Sequence, residues 1–291
     1  MDYINICGAG FVGGSLAFLC RNNDVPFTIY DIVKKEDIGQ ISTFTNIKSL
    51  IKSSELSNNI NYYFVCVPTP PADDGGCNTD IVETVVKKIY EYSRKETVIM
   101  IKSTIKPGTT DILNEKYNKD KFGIFFTPEF LTERRANLDM YEAKFALIGT
   151  TQPKHNKPNQ LTNQHLVKLF SRLYSHNGDI NILVDSALLF EILKYTMNTY
   201  FATKITFFNE IYELCERCNV NYNELKGLFP LDNRIGEYGT IVPGPDARFS
   251  YNGSCLVKEI DAMVKLQEEL GLSNEFIKCV QKRGRDFRKT P

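Results

Sequence analysis

The sequence predicts an α/β fold: a Rossmann-like doubly wound parallel sheet followed by a smaller all-helical domain built on a long connecting helix. Three observations predict it. Short apolar segments, several of them apolar on both faces, alternate with segments of helical periodicity, as in a parallel sheet covered on both sides. The run Gly8-Ala9-Gly10-Phe11-Val12-Gly13 joins the first strand to the first helix. The pattern then changes after Asp185, because Ser186–Cys218 contains neither Gly nor Pro and repeats apolar residues at helical spacing. The expected domains are therefore 1–185 and 186–291.

Taken in order, residues 3–7 form an apolar strand, a helix covers about 12–22, and Phe27-Thr28-Ile29-Tyr30 is a second strand ending at Asp31. Residues 62–67 and 97–101 form the next two strands, with a helix at about 79–94 between them. Segments 123–126 and 145–149 suggest two more strands, the polar stretch 151–164 a surface loop, and 162–174 a helix that leads into the strand 180–184. In the long helix, Leu189, Ile192, Leu193, Met197, Tyr200 and Phe201 recur at helical spacing. A long apolar helix at a domain junction packs well against a symmetry mate, so a homodimer through 186–218 is expected. A Gly/Pro-rich loop spans 230–254, two helices fill about 256–285, and the basic end Lys282–Lys289 is expected to fray.

Composition narrows the function classes. Of 291 residues, 35 are Lys or Arg and 35 are Asp or Glu, giving zero net charge. That argues against a nucleic-acid partner and an anionic membrane surface. Apolar residues make up 42% and charged residues 24%, a globular balance. No apolar run reaches the roughly 18 residues that span a bilayer. The first residues run straight into a strand and do not read as a signal peptide. The eight cysteines lack a framework spacing, so they read as reduced thiols in a cytoplasmic protein.

The glycine run opens the chemistry. In G-x-G-x-x-G the first Gly permits the turn, the second lets a pyrophosphate approach the backbone, and the third lets helix and strand pack closely. Asp31, at the end of the second strand, suits a ribose 2′-hydroxyl and repels a 2′-phosphate, which favours NAD over NADP. Lys34 and Lys35 keep NADP open, and the alternative to a dinucleotide site is a plain glycine turn without cofactor. Three further segments follow strands, at the end where open α/β sheets bind ligands. They are Val67-Pro68-Thr69-Pro70, Lys102–Thr110, and Pro128-Glu129-Phe130-Leu131-Thr132-Glu133. A fourth, Asn252-Gly253-Ser254-Cys255-Leu256-Val257-Lys258-Glu259, lies in the second domain.

In order and wording, these segments resemble the UDP-glucose/GDP-mannose dehydrogenase family, from residue 3 to about 285. The resemblance implies oxidation of a nucleotide-sugar primary alcohol to a carboxylate in two NAD-dependent steps, with UDP-glucose the expected substrate. It implies that Cys255 is the nucleophile, holding the carbon as a thiohemiacetal and then a thioester. Lys194 and Asn198, i and i+4 on the long helix, match the family residues that stabilise the oxyanion. Glu129 matches a general base, and Glu133 a residue that orients water or substrate. Thr104 matches a Thr that positions the water or the substrate hydroxyl. Implied cofactor contacts are Gly8, Gly10, Phe11, Val12, Gly13, Asp31, Val67, Pro68, Thr69, Thr104, Glu133 and Lys258. Implied substrate contacts are Phe130, Leu131, Lys194, Asn198, Arg234, Tyr251 and Gly253, with Arg234 reaching the substrate of the partner subunit.

Two positions depart from the family pattern. Glu259, one methylene longer, stands where the family has a catalytic Asp that helps activate a water, and Ser250-Tyr251-Asn252-Gly253 replaces a Gly-x-Gly-Gly cradle. No metal site is expected. Cys215-Glu216-Arg217-Cys218 reads as structural thiols ahead of a zinc or redox pair, and His155, His165 and His176 read as surface residues. Without the resemblance, the Lys194–Asn198 pair reads as solvated surface, and Glu129 and Glu133 as partners of Arg134 or Arg135. Family members usually continue into a third domain that grips the nucleotide, and the expectation here is a chain without it. Three readings stay open: a nucleotide-sugar dehydrogenase, a two-domain β-hydroxyacid-type dehydrogenase on a smaller substrate, and a catalytically impaired NAD-binding protein or partner subunit.

Overall fold

The computed structural model describes residues 3–33, 43–56, 60–117, 120, 122–151 and 163–289. Lys34, Lys35, His155 and most of the stretch 151–164 lie outside the described residues. The chain divides into two compact units, one of 1–70 and 78–194, the other of 71–77 and 195–291. The division therefore falls inside the long helix, between Lys194 and Tyr195, past the change of sequence pattern at Asp185.

The first unit is built on one eight-stranded sheet. Its strands are β1 (Tyr3–Cys7), β2 (Phe27–Tyr30), β3 (Thr43–Phe44), β4 (Asn61–Val65), β5 (Thr97–Ile101), β6 (Phe122–Phe126), β7 (Phe145–Thr150) and β8 (Asn181–Ser186). The spatial order is β3-β2-β1-β4-β5-β6-β7-β8. All neighbours are parallel except β6 and β7, which run antiparallel, so the expected parallel sheet carries one reversed step. Side chains alternate between two cores, as the two-residue period requires. Ile4, Ile6, Tyr62 and Phe64 point into one, and Cys7, Tyr63, Val65 and Ile99 into the other. This is why the central strands read as unbroken apolar runs. The chain leaves β1 for β2 on one side and places β4 on the other, so the sheet changes winding direction at the end of β1. That is where doubly wound sheets open a ligand crevice.

The helices of this unit are α1 (Phe11–Asn22), α2 (Ile47–Ser54), α3 (Asp80–Tyr92), α4 (Thr109–Lys116), α5 (Ala136–Tyr141), α6 (Asn163–Leu173) and the start of α7 (Ala187–Arg217). Helices α2, α4 and α5 are additional to the elements that the sequence predicts. Helix α2 carries a local signal: Asn46 accepts from Lys48 N at 2.9 Å, and Ile47, Leu50 and Ile51 are buried on one face. Helix α4 carries none, because it begins directly after Pro107-Gly108, with Gly108 at φ +91.

The second unit holds the rest of α7, then α8 (Tyr222–Gly227), α9 (Ser254–Glu269) and α10 (Glu275–Phe287). Its apolar contacts fall into two groups, Ala202, Tyr251, Ile260 and Val280, and Phe208, Cys215, Tyr222 and Val242. The basic end does not fray. Val280, Gly284 and Phe287 are buried, and Arg283 donates to Glu210 at 2.7 Å and Glu213 at 2.9 Å. Charge alone misread this segment, because Arg283 has acidic partners on α7 and Arg285 has one, Asp261, on α9. No helix among the described residues is long and apolar enough to cross a membrane.

Candidate functional site

The glycine turn follows β1, and its three glycines differ in what holds them. Gly8 has φ +95, and a Cβ there would lie 2.7 Å from Cys66 O. A Cβ on Gly13 would lie 1.8 Å from Gly8 O. The fold itself therefore excludes side chains at both positions. A Cβ on Gly10 meets nothing within 4 Å. Gly10 precedes α1 and gives it no side-chain cap, so the first amides of that helix are presented to an anion. Asp31 is seated against the turn: Oδ2 accepts from Ala9 N at 2.7 Å and Oδ1 from Val33 N at 2.9 Å. Each carboxylate oxygen keeps a lone pair for a ribose hydroxyl. Beside the turn lies a cleft of about 530 Å³ lined by Gly10, Phe11 and Glu133–Leu138, a size that suits a small-molecule ligand. Gly10, Phe11 and Glu133 line this cleft, so the structure brings these three expected cofactor contacts together, while Val12 is half-buried and packs against the core.

The loops after β4 and β5 lie next along the sheet. Val67 and Thr69 are buried and Pro68 is exposed. Ser103 Oγ donates to Val67 O at 2.6 Å, tying the two loops. Thr104 is buried at 9% exposure, on the loop that leads into α4.

After β6, the Pro-Glu-Phe-Leu segment meets α7. Lys194 Nζ donates to Glu129 O at 2.5 Å and lies 3.3 Å from Glu129 Oε1. Glu129 Oε2 accepts from Leu131 N at 2.7 Å, and the Lys194 ammonium sits 5.2 Å from the centre of the Phe130 ring. The Lys194 and Glu129 side chains are only 6% and 11% exposed. This overturns the solvated-surface alternative for Lys194 and the Arg alternative for Glu129. Arg135 turns instead to Asp139 and Glu142.

Two buried ionisable residues of this unit escaped the sequence reading. Lys102 is 5% exposed and donates to Thr127 O at 3.0 Å. Burial pushes its ammonium down, against the pull of Cys66 and Glu129. Glu191 is fully buried. It accepts from Gly108 N at 2.5 Å, Thr110 N at 3.0 Å and Thr110 Oγ1 at 2.5 Å. The available signal was a charge set in an otherwise apolar stretch.

In the second unit, Gly253 at φ +82 precedes α9, and Cys255 lies exposed in the first turn of that helix. The partial positive charge of a helix start favours an anion there. Glu259, one turn on, is 1% exposed and accepts from Asn198 Nδ2 at 2.5 Å. Lys258 is half-buried. The altered cradle places Ser250, not Asn252, in the left-handed region, at φ +71. Ser250 N donates to Asn209 Oδ1 at 2.9 Å and its Oγ to Gly284 O at 2.9 Å, which offsets the strain. Tyr251 is buried at 1% exposure against Gly284, with the Arg288 guanidinium 4.9 Å from its ring centre. Arg234 is exposed and pairs with Asp232. Cys215 is buried and Cys218 exposed; no metal-holding cluster of His, Cys, Asp and Glu occurs among the described residues. His176 is exposed, stacks on Tyr141 at 3.7 Å and bonds Tyr141 O, and His165 is exposed.

Comparison with known proteins places this geometry. Residues 2–174 match the NAD binding domain of the UDP-glucose/GDP-mannose dehydrogenase family, and residues 190–284 match that family's central domain. Over 82% of the chain, it is 30% identical to the UDP-glucose 6-dehydrogenase of Rickettsia conorii. Over 96% of the chain, it is 29% identical to the UDP-glucose 6-dehydrogenase TuaD of Bacillus subtilis. It spans only 51% and 62% of the lengths of these two relatives. A solved UDP-glucose dehydrogenase from the archaeon Pyrobaculum islandicum matches 98% of the chain with a TM-score of 0.78 and 23% identity; 68% of that structure is covered. That likeness bears on the fold.

Proposed function

The chain belongs to the UDP-glucose/GDP-mannose dehydrogenase family, and from that premise we propose that it oxidises the primary alcohol of a nucleotide sugar, UDP-glucose first, to the carboxylate. The observation that carries this reading is the Lys194–Glu129 pair, a buried ammonium and carboxylate at the C-terminal end of the sheet. Burying such a pair is costly for a fold and useful to a reaction that develops negative charge on oxygen.

The roles follow from the chemistry. NAD, held at the Gly8–Gly13 turn with Asp31 on its ribose, would supply the hydride acceptor for each of the two oxidations. Between them, the Cys255 thiolate adds to the aldehyde carbon, and Lys194 and Asn198 hold the resulting oxyanion. After the second oxidation the carbon is a thioester. Water, giving its proton to Glu129, displaces the thiolate and releases the carboxylate. Thr104 and Glu133 orient water and substrate, and Glu259 fixes the amide of Asn198. In this assignment residues 1–185 hold the cofactor and 186–291 supply the thiol. Phe130, Leu131, Arg234 and Gly253 serve the substrate, while the burial of Tyr251 supports a role in shaping the cradle.

A homodimer through α7 is part of the proposal. Leu189, Ile192, Tyr200, Phe207 and Leu214 are each about half exposed along that helix, an apolar row that suits a second copy. Eight free cysteines fit a reducing, cytoplasmic setting.

The test mixes purified protein with NAD and UDP-glucose, then with other nucleotide sugars, and counts NADH per substrate consumed. Two NADH are expected, and with Cys255→Ala at most one, with no carboxylate released. Turnover that survives without Cys255 sinks the proposal.

A further inference from the structure

The geometry points to Glu191 as a positioning residue that locks the Thr104 loop against α7. Glu191 and Lys194 lie three residues apart and so share one face of the helix. Lys194 holds the loop after β6 through Glu129 O at 2.5 Å. Glu191 holds the loop after β5 through the Gly108 and Thr110 amides and the Thr110 hydroxyl. One turn of helix thus latches both loops, and the second of them carries Thr104.

The latch is more than a cap. Gly108 contributes no side chain to the start of α4, so Glu191 supplies the missing acceptor from a residue 83 positions away in sequence. The carboxylate is fully buried, which is tolerated only with strong donors on both oxygens. Burial pushes its carboxyl up, while the Thr110 hydroxyl and the two amides pull it down. A group this costly to bury suits a segment whose position matters to a fraction of an ångström. Lys102, Ser103 and Thr104 are all buried, so the loop has no slack to absorb a shift at its end.

The kinetic part of this inference rests on the proposed reaction, and the structural part does not. In Glu191→Gln, the amide nitrogen turns a donor toward donors. Loss of a mere cap would free only Gly108 and Thr110. A positioning role extends further: backbone hydrogen exchange at residues 103–106 rises about tenfold or more, while exchange at residues 8–13 stays unchanged. Turnover falls about tenfold to a hundredfold. Thr104→Ala then costs less in the Glu191→Gln background than in the unaltered protein. Thr110→Val reproduces the effect from the other side of the bond, and Thr110→Ser restores it. Unchanged exchange at 103–106 in both Glu191→Gln and Thr110→Val overturns the inference, and so do penalties of Glu191→Gln and Thr104→Ala that simply multiply. If the unaltered protein turns over no nucleotide sugar, the proposed reaction fails, and the exchange experiment still decides the role of Glu191.

Discussion

Asn198 donates from Nδ2 to Glu259 Oε2 across 2.5 Å, and both residues are buried. The Glu259 carboxylate thus reaches from α9 to the amide on α7. Asn198→Ala removes this donor from a buried carboxylate and should cost about 1–3 kcal/mol, read by urea unfolding. Glu259→Gln keeps an acceptor and should cost less. Equal losses in the two variants would show that the charge, not the bond to Asn198, stabilises the site.

The glycine turn separates a structural from a functional demand. Gly13→Ala places a methyl 1.8 Å from Gly8 O, so the melting temperature should fall steeply. Gly10→Ala meets nothing within 4 Å in the protein, so its melting temperature should stay near that of the unaltered chain. Its NAD affinity should nevertheless fall about tenfold or more, because the methyl enters the space left for the pyrophosphate. Calorimetry with and without NAD reads both.

The Lys194–Glu129 pair gives a third expectation. Lys194→Met leaves a carboxylate buried without its cation, at a cost of about 3 kcal/mol. Activity should fall about a hundredfold to a thousandfold. Adding Glu129→Gln should recover most of the stability and none of the activity. Recovery of activity would rule out a catalytic role for the pair.

The thiols predict an alkaline trend. Burial pushes Cys66 from the ordinary 9.0 up to about 12, and pushes Cys7 and Cys20 up as well. The unfolded chain therefore releases these protons first. The stability they contribute is full below pH 9 and is lost as pH rises toward 12. Cys66→Ala should flatten that decline in pH-dependent urea unfolding. At pH 8, iodoacetamide should label Cys218, Cys255 and Cys279, which are exposed, and spare the four buried thiols, Cys7, Cys20, Cys66 and Cys215. Peptide mapping of native protein checks the pattern.

What the sequence made legible follows from range. Strands β4 and β5 announced themselves because both faces of each are buried, so every residue carried the signal. Gly8, Gly13 and Asp31 were legible because the turn is local, and the four chemical segments because each stands at a strand end or a helix start. Helix α4 was not legible, since its start is stabilised by Glu191 from far along the chain. The basic end was misread for the same reason: Arg283 looks solvated until Glu210 and Glu213 are set beside it. The left-handed Ser250 also lay beyond local rules, because Asn209 and Gly284 hold it there.

The segment 71–77 belongs with the helical unit although the chain delivers it from within the sheet unit. Asp74 on it pairs with Lys265 of α9 at 3.2 Å. The polypeptide consequently passes between its two bodies three times, at 70–71, 77–78 and 194–195. No single scission frees either body whole. A fragment starting at Tyr195 would carry Cys255 but leave Lys265 without Asp74, and a fragment ending at Lys194 would trail a piece of its neighbour. For gene dissection or two-plasmid complementation, a cut at 194–195 therefore divides the residues of the second unit between the two products.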